Sequence, residues 1–503
     1  MAFFIQTMRS TIFAFIIAWL SILPATGQQV LILTPGCQQA LKQIFQLQIQ
    51  AGKDACQQER TAQPQNIAPQ IIECYALFFE VFFNEDAATH KLLKQRHTLA
   101  LEALDALPAN NPYRNYFKSA LHLQKAVIGI KFNEKVAAAF DIRKAGQYIQ
   151  QNVEQFPQFA PNKVIQGPVQ VAAGVVPDGY KWIANLLGIK GSVKNGMMLI
   201  RQALSQTDAV SKLLHNEVVF YYCYLSFYVE NKPDEVIQFI AQQKLDLVNN
   251  HLFAYLASNL CLNSKRSEQA KQIITNRSKL PGYLETPVWN LALGNAALYK
   301  LDYTEAITQY QQFVQQFQGG IYLKDAYQRM AWCYLLQGNT KAATEVRKQV
   351  LTKGSSVTDA DKKALKDAKT NTWPNTVLLK ARLLNDGGFF RPALAVLHGL
   401  TAADFTSIPE QLEFYYRVGR IYDDLQKDTE AIQFYEKAIQ LGKYRPEYFA
   451  ARAALQIGIL YEKNKQFTQA IAYYEMCLAM DDHDYKDSLD QKAKAGIARC
   501  KNE

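Results

Sequence analysis

Apolar residues recur at spacings of three and four through most of the chain, the periodicity of helices with one covered face. In "YYRVGRIYDDLQKDTEAIQFYEKAI" (415–439), Tyr415, Val418, Gly419 and Tyr422 share such a face. "LQKD" interrupts the pattern, and Ala431, Tyr435 and Ala438 mark the face of a second helix. Small Gly419 and Ala431 let the two helices approach, the tyrosines fill the gap beside them, and the outer apolar surfaces of the hairpin stay uncovered.

The same grammar recurs in "LQIGILYEKNKQFTQAIAYYEMCL", "WNLALGNAALYKLDYTEAITQYQQF", "AYQRMAWCYLLQGNTKAATEVRKQV" and "VLLKARLLNDGGFFRPALAVLHGL". Two fainter copies come earlier, "HLFAYLASNLCLNSKRSEQAKQII" and "FYYCYLSFYVENKPDEVIQFI". The residues opening each second helix are Val236, Ala270, Ala306, Ala343, Ala393, Ala431 and Ala470, at successive steps of 34, 36, 37, 50, 38 and 39. The step of 50 carries an insertion, "TKGSSVTDADKKALKDAKTNTWP" (352–374), itself partly helical. A hairpin that cannot hide its outer faces must stack on copies of itself, so the pattern predicts an all-α fold. Its expected form is a right-handed α-α superhelix over residues 205–503, preceded by an N-terminal helical region.

These units resemble tetratricopeptide repeats. The last two carry the signature at Gly419, Tyr422, Ala431, Tyr435 and Ala438, then at Gly458, Tyr461, Ala470 and Tyr474. Departures are Ala454 where a bulky aromatic is usual, Cys477 where alanine is, and Arg347 at a normally aromatic place. The resemblance implies that the first helices of successive pairs line a concave face that takes a peptide or helix from a partner. Carried onto this chain, that rule names Asn295, Tyr299, Trp332, Arg382, Asn385, Tyr416 and Arg420 as binding candidates. A looser likeness in layout covers "GPVQVAAGVVPDGYKWIANLLGIKGSVKNGMMLIRQAL" (167–204), with Pro177 and Gly188-Ile189-Lys190-Gly191. It is similar to a segment of the inclusion-body-clearance proteins and of the tetratricopeptide-repeat proteins numbered thirty-nine. That likeness implies an interaction protein with extra N-terminal helices and names no substrate.

Upstream, residues 28–156 read as an N-terminal domain of amphipathic helices, with breaks at "TAQPQNIAPQ" and "LPANNPY". Residues 157–204 form a Pro/Gly-containing apolar connector, opened by the three prolines of "FPQFAPNKVIQGP". Packing against the first repeats, contact with a membrane surface and docking of a partner all fit its apolar part. It lacks the cationic face of an interfacial helix, so membrane association is at most peripheral. The start, "MAFFIQTMRSTIFAFIIAWLSILPATGQQ", has one basic residue, a short apolar run and small residues before Gln28. It predicts a signal peptide over 1–27, cleaved near Gly27, and an exported protein that is periplasmic, outer-membrane-associated or extracellular. A retained anchor is the alternative.

Charge and chemistry change this picture little. A net charge of +10 over 503 residues, with no Lys/Arg run, leaves no footprint for nucleic acid. Cys223, Cys261, Cys333 and Cys477 fall on apolar stripes, while Cys37, Cys56 and Cys74 are the candidates for a bridge in an oxidising compartment. The seven histidines form no metal spacing, and "DDHD" (481–484) reads as a solvated loop. Neither a nucleophile motif nor a phosphate loop is present, so no metal, cofactor or catalytic residue is expected. The sequence predicts a non-catalytic scaffold that binds a protein segment, with carbohydrate or lipid binding on the same architecture as the alternative.

Overall fold

The computed structural model describes residues 29–175, 188 and 190–501. The leader through Gly27 and most of the apolar segment after Val175 lie outside these residues. Within them the chain is all-α, and the only strand-like pairing is a single bridge between Val30 and Asn66.

The first helices are α1 (Pro35–Phe45), α2 (Ile49–Ala62), α3 (Ala68–Asn84), α4 (Ala87–Asp105), α5 (Pro112–Lys131) and α6 (Lys135–Gln155). They are followed by α7 (Asn162–Gly174), α8 (Val193–Leu204) and the single-turn α9 (Ala209–Leu213). Helices α7 and α8 pack together through Gly167 and Gly196, where the backbones approach so closely that an added Cβ would collide. One hydrophobic core runs from Leu31 through this connector to Leu252, so the N-terminal helices and the first repeats are fused rather than tethered.

Seven helix pairs follow: α10 (His215–Tyr228) with α11 (Pro233–Gln242), α12 (His251–Asn263) with α13 (Ser267–Asn276), and α14 (Val288–Tyr299) with α15 (Tyr303–Gln316). Next come α16 (Leu323–Leu336) with α17 (Thr340–Thr352), the insertion helix α18 (Asp359–Thr370), and α19 (Thr376–Gly387) with α20 (Phe390–Leu397). The array ends in α21 (Ile408–Asp424) with α22 (Asp428–Gly442), α23 (Phe449–Lys463) with α24 (Phe467–Leu478), and a lone α25 (Lys486–Lys501). Every residue that sets the repeat period, from Val236 to Ala470, has no exposed surface (0%). The apolar clusters follow one another like links, 219–260, 254–289, 297–383, 378–421 and 412–500, with the second and third interleaved through the partly buried Leu291 and Leu293. That is the signature of a stack, not of one closed centre.

Three pairs are locked in the same way. Gly294, Gly419 and Gly458 on the first helices each lie against the ring of Tyr310, Tyr435 or Tyr474 on the second. A Cβ at any of these glycines would come within 2.7–2.8 Å of a ring carbon. Each ring is fully buried, which is worth about 2 kcal/mol, and each hydroxyl still finds an acceptor, on Asn295, Asp423 and Glu462 respectively. The tyrosine thus fills the seam between helices and satisfies its polar end at the rim.

The N-terminal helices lie along one flank of the array and bond to it at separate points. His251 N–H donates to the Gln46 carbonyl (3.2 Å) and Leu284 N–H to the Leu47 carbonyl (2.7 Å). Glu85 accepts from the Gly320 and Ile321 amides at 3.0 and 3.1 Å. Where α10 meets α3 and α5, Glu217 is buried, with no cation among the described residues shifting it; Oε1 accepts from Tyr221 at 3.0 Å, and Oε2 has no partner among them. Tyr75 and Tyr116, from α3 and α5, also feel its charge, and their hydroxyls are without partners among the described residues.

Burial raises the Glu217 carboxyl from the ordinary 4.5 to about 7. An unfolded Glu217 ionises near 4.5 while the folded one keeps its proton, so its contribution to stability is fully present below 4.5 and is lost as pH rises through about 7. The loss is on the order of 3 kcal/mol. Urea unfolding between about pH 5 and about pH 7.5 should show the wild-type midpoint falling as pH rises. In Glu217→Gln that component of the slope should vanish, and an unchanged slope would contradict the assignment.

Candidate functional site

On the first helices of the later pairs, one stripe per helix faces inward. Asp325, Gln328, Arg329 and Trp332 recur on α16 at helical spacing, Arg382 stands on α19, and Glu413 and Arg417 on α21. With Tyr448 and Phe449 at the entry to α23 they enclose a cavity of about 1040 Å³. Two features outside the repeat pattern complete its wall. The insertion helix α18 supplies Lys363 and Asp367, and the loop before α25 supplies His483 and Asp484. The two meet across the opening through a Lys366–Asp484 ion pair at 2.6 Å.

The cavity is polar but internally matched. Arg329 Nε donates to Asp325 at 2.6 Å, Arg417 forks onto Glu413 at 2.8 and 3.0 Å, and Lys363 pairs with Asp367. Arg382 is held most loosely: its Nε is 3.5 Å from Asp386, and its guanidinium lies over the Trp332 ring at 5.5 Å. Three buried lining atoms have no protein partner, namely Gln328 Oε1, Trp332 Nε1 and His483 Nε2. His483 Nδ1 lies 2.9 Å from the Asp484 carbonyl and can only donate to it, which leaves Nε2 of the neutral ring as an acceptor. One donor and two acceptors thus stand desolvated in the wall, where a ligand's polar groups gain most by pairing.

The insertion is locked in place by the residue that breaks the repeat pattern. Arg347, where the signature has an aromatic, is buried; it stacks on Trp373 at 4.1 Å and donates to the Thr372 carbonyl at 2.6 Å and to the Asp367 carbonyl. At the other end, Asp361 accepts from the Tyr322 amide at 2.8 Å and the Asp325 amide at 3.1 Å, fixing α18 to the start of α16. Displaced by α18, helix α19 packs across onto α14.

Of the residues named from the sequence, Trp332 and Arg382 line the cavity, and Tyr299 reaches its wall through Arg329, 3.5 Å away. Asn295 is taken up by the Tyr310 hydroxyl at 2.8 Å. Tyr416 needs correcting: it is only 3% exposed, packed against Tyr435, Tyr448 and Phe449, and is a seam residue rather than a groove residue. Asn385 and Arg420 belong to an internal clasp. Asn385 donates to Asp424 at 2.9 Å, Arg420 pairs with Asp423 and Asp424 at 3.0 and 3.5 Å, and Lys265 arrives from the second pair to bind Asp424. Burial, reinforced by Arg420, pulls Lys265 down to about 8 against the attraction of Asp424. The clasp joins turns 159 residues apart and shows that the array curls back on itself. Ser267 adds a 2.7 Å bond to the Gly387 carbonyl, and Gly388, at φ +90°, passes so close to the Lys265 carbonyl that no side chain fits.

Arg329, Arg417 and Lys363 were not singled out from the sequence, and His483 was read only as part of a solvated loop; the i, i+3, i+4, i+7 stripe of α16 was the available signal for the first. "DDHD" is only half a solvated loop: Asp481 and Asp482 are exposed, but His483 is buried. Cys37, Cys56 and Cys74 are buried thiols, and burial raises all three above the ordinary value. No group of three or more potential metal ligands occurs among the described residues, and none of their helices is long and apolar enough to cross a membrane.

Residues 412–441 and 451–484 match the family model of the tetratricopeptide repeat. No curated protein matches the sequence. Among solved structures, the chain is similar to one described as "Crystal structure of APC/C hetero-tetramer Cut9-Hcn1", at 13% identity over 92% of this chain and 95% of that one. The TM-score is 0.28, a likeness too loose to carry an argument.

Arg347→Met removes the charged hydrogen bonds that hold the insertion, a loss of about 2 kcal/mol. Trypsin should then cut between residues 352 and 374 about thirtyfold faster than in the wild type, with no faster cleavage elsewhere and only the site after residue 347 lost. Equal cleavage rates would show that Arg347 does not anchor the segment.

Proposed function

We propose that this tetratricopeptide-repeat protein is a non-catalytic scaffold of the cell envelope or the extracellular space, holding a segment of a partner protein in the concave cavity between α16, α18, α21 and α23. The observation that carries the reading is the cavity wall. It combines large aromatics, arginine and desolvated, unpaired polar atoms on a frame fixed by ion pairs, the composition that concentrates binding energy at protein interfaces. Its volume is about 1040 Å³, room for a few side chains of an extended segment or one face of a helix. The wall bears both signs of charge, which favours a partner segment with alternating charge over a uniformly charged one. The carbohydrate alternative would need free aromatic faces, and both tryptophans here are overlain by guanidinium groups, Trp332 by Arg382 and Trp373 by Arg347. Export rests on the amino-terminal pattern of one arginine, a short apolar run and small residues before Gln28.

A photo-crosslinking residue placed at Lys363, inside the cavity wall, should capture a protein partner in intact cells, whereas the same residue at exposed Lys348 should not. Arg382→Glu should cut the Lys363 crosslink at least fivefold without shifting the melting temperature. Equal capture at both positions, or crosslinks to glycan or lipid alone, would remove the proposal. For the location, amino-terminal sequencing of the native protein should begin at Gln28 in an exported fraction. An intact Met1 in the cytosol would overturn export.

A further inference from the structure

A second cavity, of about 930 Å³, lies between the loop 277–287, which joins α13 to α14, and the α3–α4 turn of the N-terminal helices. At its wall, Arg277 stacks on Trp289 at 4.1 Å. Its Nε and Nη1 are buried and donate to nothing, and among the described residues no carboxylate pairs with it. The molecule contains its own control for this arrangement. Arg347 lies over Trp373 at the same 4.1 Å, and its Nε and Nη1 are likewise unpaired, but its Nη2 donates to two backbone carbonyls. Arg277 has the stack without the acceptors.

The surroundings sharpen the contrast. Lys279 and His251 also line the cavity, and the charge on Arg277 is felt at both. Burial, then Arg277, pushes His251 down to about 4, so it is neutral at physiological pH, with its Nε2 on the Ser278 carbonyl at 3.1 Å. Burial alone lowers Arg277 to about 10, with no acid to hold it up. Two acids share the wall without serving as partners: Asp86 is engaged by the Thr89 amide and hydroxyl, both at 2.6 Å, and Glu285 is exposed.

The loop is fixed rather than adaptable. The Tyr283 hydroxyl donates to the Asn249 carbonyl (2.8 Å) and accepts from Gln48 (3.1 Å), and its ring stacks on His251 at 3.7 Å. Asn84 donates to the Glu285 carbonyl at 3.1 Å. A half-buried cation on a preformed wall, two of its nitrogens shielded from water and unpaired, is a setting in which an oxyanion is bound strongly.

We infer that this cavity is a binding site for an organic anion, a carboxylate or phosphate carried on a body with apolar faces, whose charged end meets Arg277 and Lys279 while Tyr283, Pro281 and Leu293 receive the rest. The size is that of a small-molecule pocket, larger than a simple ion requires. The site is separate from the concave cavity and stands or falls independently of the scaffold reading.

Calorimetric titration of the full chain at about pH 7.5 tests it with three probes of one shape: benzoate, phenyl phosphate and neutral benzyl alcohol. One or both anions should bind saturably with Kd below about 1 mM, and benzyl alcohol should not. The tighter of the two anions tells carboxylate from phosphate. Arg277→Gln should weaken the anion at least tenfold. Lys279→Glu, on an exposed side chain that does not threaten folding, should weaken it at least threefold and serves if Arg277→Gln fails to fold. No saturable binding of either anion, equal binding of the neutral probe, or unchanged affinity in Lys279→Glu would overturn the assignment.

Discussion

A tyrosine ring laid against the bare backbone of a glycine on the facing helix sets the spacing of the pairs at 294/310, 419/435 and 458/474. Close approach leaves the flanks of each hairpin too apolar to face water, so the next hairpin must cover them. The chain of successive clusters from Val219 to Cys500 is the outcome. The last ring also receives a glycine from beyond the pairs: Tyr474 lies between Gly458 and Gly496 of α25, and this is how a lone helix ends the stack.

A plain stack would leave a long open groove. Three additions close this one. The N-terminal helices share a core with the first pairs and bond along one flank, so the array cannot straighten there without breaking apolar packing. The clasp of Lys265, Asn385, Arg420 and Asp424 draws the second, fifth and sixth turns together. The insertion then fills the gap left between α16 and α21 and meets the carboxy-terminal loop at Asp484. Buried and half-buried ion pairs of this kind add little net stability, but they penalise alternative geometries, because a separated partner is left desolvated. Their effect here is to fix the curvature, and with it the width of the cavity.

The period was legible because it depends only on residues close in sequence: a small residue opening each second helix, wherever it falls, must be buried against its own first helix. The choice of groove residues was less legible, because a helical wheel tells inside from outside but not which inside. Tyr416 satisfies the wheel for a concave position and sits in a seam. Asn385 and Arg420 satisfy it too, and are consumed by Lys265, a residue that no local pattern connects to them. Arg347 shows the opposite case: it departs from the signature, and that departure is what holds the insertion. Arg277 had no signal in the sequence at all, since what distinguishes it is the acceptor it lacks, a property of the folded surroundings.

Arg277 and Arg347 together argue for how this molecule uses tryptophan. Each guanidinium lies over an indole at 4.1 Å, which offsets part of the cost of desolvating the charge and limits where its N–H groups point. Where those groups meet main-chain carbonyls, the pair becomes an internal fastener; where they face a cavity, the same pair becomes a receptor. Trp332 under Arg382 is intermediate, with a longer stack, a loose carboxylate and an indole N–H that donates to nothing. The gradation follows how many acceptors the fold supplies to each arginine. The capacity to bind at Arg382 and at Arg277 therefore comes from acceptors left out of the wall, not from residues added to it.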